Sequence, residues 1–403
     1  MGSTHPRGGR GSADPKVRQL RPDRMAPGHG RDPDMADEQP LPLEQQGVDW
    51  LYITALVLLV SVGMIMVYST TAVDGGFAGL SKLLKLMLLV GLPMLAAGIF
   101  LPQRFWRKAS PWILFGAFAA LVSLFVPHNP LVHAVKGAKR WIFLPGGYQI
   151  QPSEFAKLAF ILFAAKFLER RGQRMKSDDW FVFLGVLGTF AGAIYFEPDL
   201  GTALVLGATA VFMLIASGVK WGPILKLGLV AVAVVALLAF NTSHQASRLK
   251  AWWNPWEDPV EKGYQVTQGW IAMARGGWWG VGLGRSTQKL GHLPEAGTDF
   301  IFAIVGEELG LVRAAGVLWL FGILAWRGYR IAARAPDRYN SLLVTGVTSW
   351  ISVQACLNIA VVTGTVPNTG VPLPFISSGI SALTALMLGT GMVIGVSRSS
   401  HKG

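Results

Sequence analysis

Long apolar runs alternate with short polar segments from about residue 50 to near the C-terminus. A helix needs about 20 apolar residues to cross the hydrocarbon core of a membrane. Runs of this kind lie at about 50–69, 84–101, 111–127, 155–168, 180–196, 200–217, 222–240, 300–326, 341–363 and 379–396. They predict an all-α, polytopic membrane protein of about ten transmembrane helices, with a large loop at about 241–299 between helices 7 and 8. The weakest runs are 155–168 and the pair within 180–217, divided at Glu197-Pro198-Asp199. Proline cannot continue the first helix of that pair but suits the first turn of the second. Short runs are completed by polar neighbours that line a cavity. Residues 1–46 hold no apolar run, and their seven basic and seven acidic residues cancel. Such a segment buries too little to offset the entropy of ordering, which predicts a disordered tail. No apolar core or small-residue cleavage site follows its basic start, so it is not a signal peptide. The membrane domain then spans 47–397, with a short tail at 398–403.

Composition agrees with this pattern. Of 403 residues, 51% are hydrophobic and 15% charged, against about 25% charged in soluble domains. One cysteine, Cys356, excludes an intramolecular disulfide and a cysteine zinc cluster. The net charge of +13 suits basic loops facing the cytoplasm rather than nucleic acid. Arg104, Arg107 and Lys108 follow helix 2. Arg170, Arg171, Arg174 and Lys176 follow helix 4, and Arg327, Arg330, Arg334 and Arg338 follow helix 8. These alternate correctly when both termini are cytoplasmic. Lys136, Lys139 and Arg140 then face outward against the rule, which hints at an anionic ligand.

The other outward segments also carry candidate chemistry. The 241–299 connection is too long for a plain turn. It contains Trp252, Trp253, Trp256, Trp270, Trp278 and Trp279, which suit an interfacial belt, and it is expected to include an amphipathic surface helix. Asp299 stands at the mouth of helix 8, either as an N-cap or at a polar pocket beside that helix. Glu307 and Glu308 lie two turns further on, where charge is costly and faces a cavity or partner; they suggest an aqueous pocket. Glu154 and Lys157, three apart on one helix face, either pair structurally or join Arg140 in a phosphate site. Asp199 is a second capping candidate. The irregular segment 366–379, with Ser377 and Ser378, offers N–H groups and hydroxyls to a ligand's oxygens. No phosphate-loop motif is present, and the seven histidines are scattered.

Taken together, Lys139–Ile142, Gln151–Leu158, Glu197–Thr202, Asn254–Asp258 with Gly263–Gln268, Leu293–Gly310 and Thr369–Gly379 resemble the SEDS family (shape, elongation, division and sporulation) over about 48–397. The wording of the large loop is similar to the division-type branch, with the elongation type second. The resemblance implies a peptidoglycan glycosyltransferase that polymerises lipid II, inverting at the sugar carbon and releasing undecaprenyl pyrophosphate. It implies Asp299 as general base. Substrate contacts would come from Arg140, Glu154, Lys157, Asp199, Glu295, Thr298, Ser377 and Ser378. The implied partners are lipid II, the growing lipid-linked strand, a class B penicillin-binding transpeptidase and other division-machinery membrane proteins, with no nucleic acid. The resemblance implies no resident organic cofactor; a divalent cation (Mg or Mn) would assist the leaving group. The implied location is the bacterial inner membrane, enriched at the division septum. Gly297 stands where the division type usually has histidine. The residues alone also suit a flippase for lipid II or a scaffold of the division machinery.

Overall fold

The computed structural model describes residues 47–71, 84–85, 87–127, 129–134, 138–145, 148–241, 243–258 and 263–399. The expected tail at 1–46, Lys136 and residues 400–403 lie outside these. Twelve α-helices are present among the described residues: α1 (Trp50–Thr71), α2 (Leu92–Phe100), α3 (Gln103–Ser123), α4 (Pro152–Arg171), α5 (Ser177–Phe196), α6 (Leu200–Ala216), α7 (Trp221–Asn241), α8 (Ser243–Trp253), α9 (Tyr264–Gly276), α10 (Ile301–Ala333), α11 (Arg338–Val362) and α12 (Ile380–Ser399). A π-helical turn, Met87–Gly91, precedes α2. A small antiparallel hairpin, β1 (Ile142–Leu144) with β2 (Tyr148–Ile150), is an addition to the all-helical expectation.

Each of the ten apolar runs coincides with helix. Five described helices are long and apolar enough to cross a membrane on their own: α1, α5, α10, α11 and α12. The Met87–Phe100 helix and α3 qualify together but bend by 118° at their junction. Leu200–Ala216 and Trp221–Val234 are shorter apolar helices. α4 falls short in apolar character because Glu154, Lys157, Lys166, Glu169, Arg170 and Arg171 lie along it. Pro198 sits before the cap of α6 rather than inside its first turn, since Asp199 is the N-cap.

The outward faces of several helices stay apolar and uncovered. Leu89, Trp112, Phe181, Leu229 and Trp319 are each more than 70% exposed. A water-soluble monomer does not carry so many contiguous apolar patches, whereas a lipid-facing surface does. The inside is held by close helix contact. α11 packs against α10, α6 and α4, and α1 lies on α10. α2 and α12 approach until a Cβ at Gly98 would stand 2.5 Å from the Leu388 carbonyl oxygen, and one at Gly391 2.3 Å from that of Leu95. Small residues permit such contact where lipid supplies no hydrophobic drive between helices.

The two ends of the bundle differ. One end carries Asp49 bound to Arg327, Arg107 to Glu169, Arg171 to Asp179 and Arg338 to the Ser217 carbonyl. The other end gathers Arg140, the α5–α6 turn, α8, α9, the 277–299 connection and the 364–379 segment.

Candidate functional site

At this second end, Arg140 clamps the α5–α6 turn. Its Nε donates to the Glu197 carbonyl at 2.7 Å, and its Nη2 donates to the Pro198 carbonyl. Asp199 caps α6, accepting from the Thr202 backbone N–H at 3.0 Å and its hydroxyl at 2.9 Å. Gln151 Nε2 reaches the same carboxylate at 3.4 Å. The capping role considered for Asp199 therefore forms. Glu197 is buried, and neither carboxyl oxygen finds a partner among the described residues. Burial first, and then the charge of Asp199, push its pKa up to about 9 against the pull of Arg140. It is protonated at neutral pH.

Asp299 is not a helix cap. α10 begins at Ile301 with Phe300 in the cap position, and no side chain caps it. Among the described residues no hydrogen bond reaches the Asp299 carboxylate. Burial first, then the charges of Glu295 and Asp199, raise its pKa to about 7, with Arg248 and Arg140 opposing. A carboxyl poised near neutrality among other charged groups is suited to general acid–base work. Arg248, on α8, passed unremarked in the sequence reading. Its Nη1 donates to the Asn368 carbonyl at 3.4 Å. Burial and then Arg140 lower its pKa, while Asp299 and Asp199 sustain its charge. The available signal was an arginine in the long 241–299 connection, near the histidine and serine that begin α8. Arg140, Arg248, Asp199 and Asp299 thus form one electrostatic cluster.

The residues around Asp299 bind mostly to one another. The Thr298 hydroxyl donates to the Glu295 carboxylate at 2.6 Å, closing a turn in which Glu295 adopts a positive φ of 56°. Ser377 Oγ donates to the Thr298 carbonyl at 2.7 Å and accepts from the Leu373 N–H at 2.8 Å. The Ser378 N–H donates to the Gly297 carbonyl at 3.0 Å. The 366–379 segment was expected to offer free N–H groups. Of these, the N–H groups of Gly370, Leu373, Ile376, Ser377 and Ser378 are satisfied within the protein, as buried backbone donors usually are. A Cβ at Gly297 would come within 3.3 Å of Thr70 Oγ1.

Glu154 and Lys157 lie deeper. Both are fully buried and pair at 2.9 Å. The ammonium also donates to Gln354 Oε1 at 2.8 Å and sits 5.1 Å from the centre of the Trp350 ring. Gln354 in turn accepts from the Trp350 indole and donates to the Pro372 carbonyl at 3.0 Å. One turn on, Asn358 Nδ2 donates to the carbonyls of Asp299 at 2.7 Å and Val371 at 2.8 Å. Trp350, Gln354 and Asn358 recur every fourth residue and share one face of α11. Gln354 and Asn358 had no place in the sequence reading; their signal was an amide inside an apolar run.

Glu307 and Glu308 do not border open water. Both are fully buried. Glu308 accepts from Lys289 Nζ and the Ser69 hydroxyl, both at 2.7 Å. Glu307 accepts from the Ser286 hydroxyl and the Thr287 N–H. The expected aqueous pocket is filled by loop residues that supply the countercharge and donors. The loop itself contains two helices, α8 and α9. Its tryptophans divide: Trp253, Trp256, Trp278 and Trp279 are exposed, while the Trp252 indole donates to the Gly364 carbonyl. Among the described residues no three acidic, histidine or cysteine side chains converge on a metal-holding point.

Residues 49–402 match the family model described as a cell cycle protein and labelled for FtsW, RodA and SpoVE. The chain is 38% identical over 360 residues to stage V sporulation protein E of Bacillus subtilis, covering 88% of this chain and 98% of that protein. It is 36% identical over 361 residues to a probable peptidoglycan glycosyltransferase FtsW of a Geobacter species, covering 87% and 97%. Among solved structures, a chain from a study of polymerization and crosslinking by a peptidoglycan synthase complex superposes with a TM-score of 0.72 at 28% identity, covering 88% and 99%. RodA of Thermus thermophilus shares the fold, with a TM-score of 0.65 at 24% identity over 88% and 98% of the two chains. The lipid-facing helical bundle, the motifs along it and these likenesses converge: the chain belongs to the SEDS family of FtsW, RodA and SpoVE.

Proposed function

We propose that this chain is a peptidoglycan glycosyltransferase that polymerises lipid II, with Asp299 as its general base. The single observation that carries the reading is the state of Asp299: not a cap, without a bound donor among the described residues, and held near neutrality beside Arg140 and Arg248. In the reaction, a sugar hydroxyl of lipid II attacks C1 of the growing strand with inversion. Asp299 takes the hydroxyl proton, the C1–oxygen bond to the lipid carrier breaks, and undecaprenyl pyrophosphate leaves. Arg140 and Arg248 supply positive charge where the leaving pyrophosphate develops negative charge. Lys157, enclosed by Glu154, Gln354 and Trp350, supports the site from below rather than meeting the phosphate. The names of relatives support glycosyl transfer. The division-type wording of the large loop supports septal synthesis with a class B penicillin-binding transpeptidase as partner. The likeness to a chain of a peptidoglycan synthase complex fits such pairing. The basic end of the bundle supports an orientation with that end cytoplasmic.

Reconstitution with lipid II and a transpeptidase partner tests this. Asp299→Asn keeps shape and polarity but cannot accept the proton, so strand formation should fall by about 10²–10⁴-fold, while Glu257→Gln in the same loop polymerises normally. Normal polymer from folded Asp299→Asn protein would refute the assignment. Movement of lipid II between leaflets without polymer would replace the enzyme reading with that of a flippase.

A further inference from the structure

The base stands on an irregular turn, not on a helix or strand, and an active carboxylate must be held to a fraction of an ångström. What holds this one is visible from α11. The Asn358 side chain offers two N–H donors, and both are spent on backbone carbonyls from separate segments: Asp299 itself and Val371. Because both partners are acceptors, the amide has one orientation only. Asn358 is 1% exposed, in the last turn of a helix that is otherwise capped by its own backbone. A buried amide in an apolar span is costly; here both N–H donors are paired while Oδ1 has no partner among the described residues, and nothing in the helix itself requires the amide. One turn below, Gln354 fixes the next carbonyl, Pro372, and is itself oriented by the buried Lys157 ammonium. From the far side, Ser377 and Ser378 bind the carbonyls of Thr298 and Gly297. The Asp299 turn is thus stitched to the 371–378 segment on both flanks, and Asn358 makes the stitch at the base.

We propose that Asn358 is the positioning residue for the Asp299 carboxylate, joining the base-bearing turn to the 371–378 segment through its two carbonyl contacts. The inference rests on the polymerase reading above and deepens it. Asn358 touches no reacting atom; it acts by fixing the backbone from which the carboxyl projects. Four charged groups face that carboxyl: Glu295 from its own turn, Asp199 from the start of α6, Arg248 from α8 and Arg140 from the segment before the hairpin. Freed from Asn358, the turn relaxes toward water, the carboxyl regains solvation, and its acidity returns toward that of an ordinary aspartate.

The test compares the full-length wild type with Asn358→Ala in lipid nanodiscs, with the transpeptidase partner for kinetics. Amide hydrogen exchange in peptides covering 297–300 and 369–373 should quicken by at least about tenfold. The kcat for lipid II polymerisation should fall by about 10–100-fold, the scale of a displaced catalytic group, with KM within about twofold. The acid limb of the kcat–pH profile, expected near pH 7 in the wild type, should move to lower pH in the variant. Unchanged exchange overturns the proposal. So does faster exchange with wild-type kcat and an unmoved acid limb, which would make Asn358 merely structural. Should the alanine variant not be recovered, Asn358→Ser, with one donor in place of two, is read by the same measurements. If the wild type makes no polymer, or Asp299→Asn makes it normally, the polymerase reading falls; exchange then still decides whether Asn358 joins the two segments.

Discussion

Asp299 shows how one side chain sets both a rate and a stability profile. Its pKa of about 7 means that the base is ionised only as pH passes neutrality, so kcat should rise through about pH 7 and level off above it. The same shift acts on folding with a definite sign. The folded carboxyl binds its proton more tightly than the unfolded one, so it favours the fold at acid pH, and that contribution is lost as pH rises through about 7. Asp299→Asn cannot ionise. Its melting temperature in detergent should therefore exceed that of the wild type at pH 8 by more than it does at pH 4. A gap independent of pH would mean that the carboxyl sits in ordinary water. The Glu154–Lys157 pairing was legible from a spacing of three on a helix. Its burial under Trp350 was not, because that depends on α11 returning beside α4.

At the scale of the element, α10 is the informative helix. Gly310 breaks it with φ of 78° and ψ of 170°, leaving backbone groups on either side without helical partners. The 277–282 stretch of the loop fills the gap. The N–H groups of Val281 and Gly282 donate to the Glu307 and Glu308 carbonyls, and those of Leu311 and Val312 donate to the Gly277 and Trp278 carbonyls. The loop is thereby fixed at its backbone as well as by Lys289 and Ser286. A Cβ at Gly310 would stand 2.3 Å from the Gly280 nitrogen, in a conformation that L-residues adopt only with strain. Gly310→Ala should cost on the order of 1–3 kcal/mol or more and loosen the loop. Thermal unfolding and limited proteolysis within 277–284 would register both effects; a wild-type melting temperature would show that the break tolerates a side chain. The apolar run at 300–326 predicted one continuous helix. A glycine within such a run does not announce a break; only the returning loop makes the break favourable.

For the whole molecule, the separation of its two ends is the leading feature. Paired arginines gather at one end, while Arg140, Arg248 and Asp299 lie at the other. If the basic end is cytoplasmic, as the charge rule requires, a membrane-impermeant maleimide applied to intact cells stripped of their outer barrier should label Lys139→Cys and not Arg334→Cys. Both positions are exposed. The single native cysteine, Cys356, is also exposed and is replaced by alanine for this experiment. Labelling of Arg334→Cys alone would invert the orientation and put the proposed site on the wrong face for exported substrate.

The apolar runs determined that the chain is a bundle of membrane helices and roughly where most of them lie, because a hydrocarbon solvent forces every backbone group into a helix; the helix expected at 111–127 begins already at Gln103, and that expected at 300–326 continues to Ala333. Local capping grammar correctly marked Asp199. What the sequence could not decide is which polar side chains meet. Asp299 and Asp199 looked alike as caps, yet one closes a helix and the other does not, since α10 starts two residues beyond Asp299 and leaves its carboxyl uncommitted. Glu307 and Glu308 looked like a wet pocket, but Lys289 folds back from the preceding loop to neutralise Glu308. Arg248 and Asn358 were invisible for the same reason: each acts on Asp299 from more than fifty positions away along the chain. Burial is a property of segments and can be read along a chain, whereas the pairing of charges and amides is a property of their assembly, set only when the helices and loops have packed.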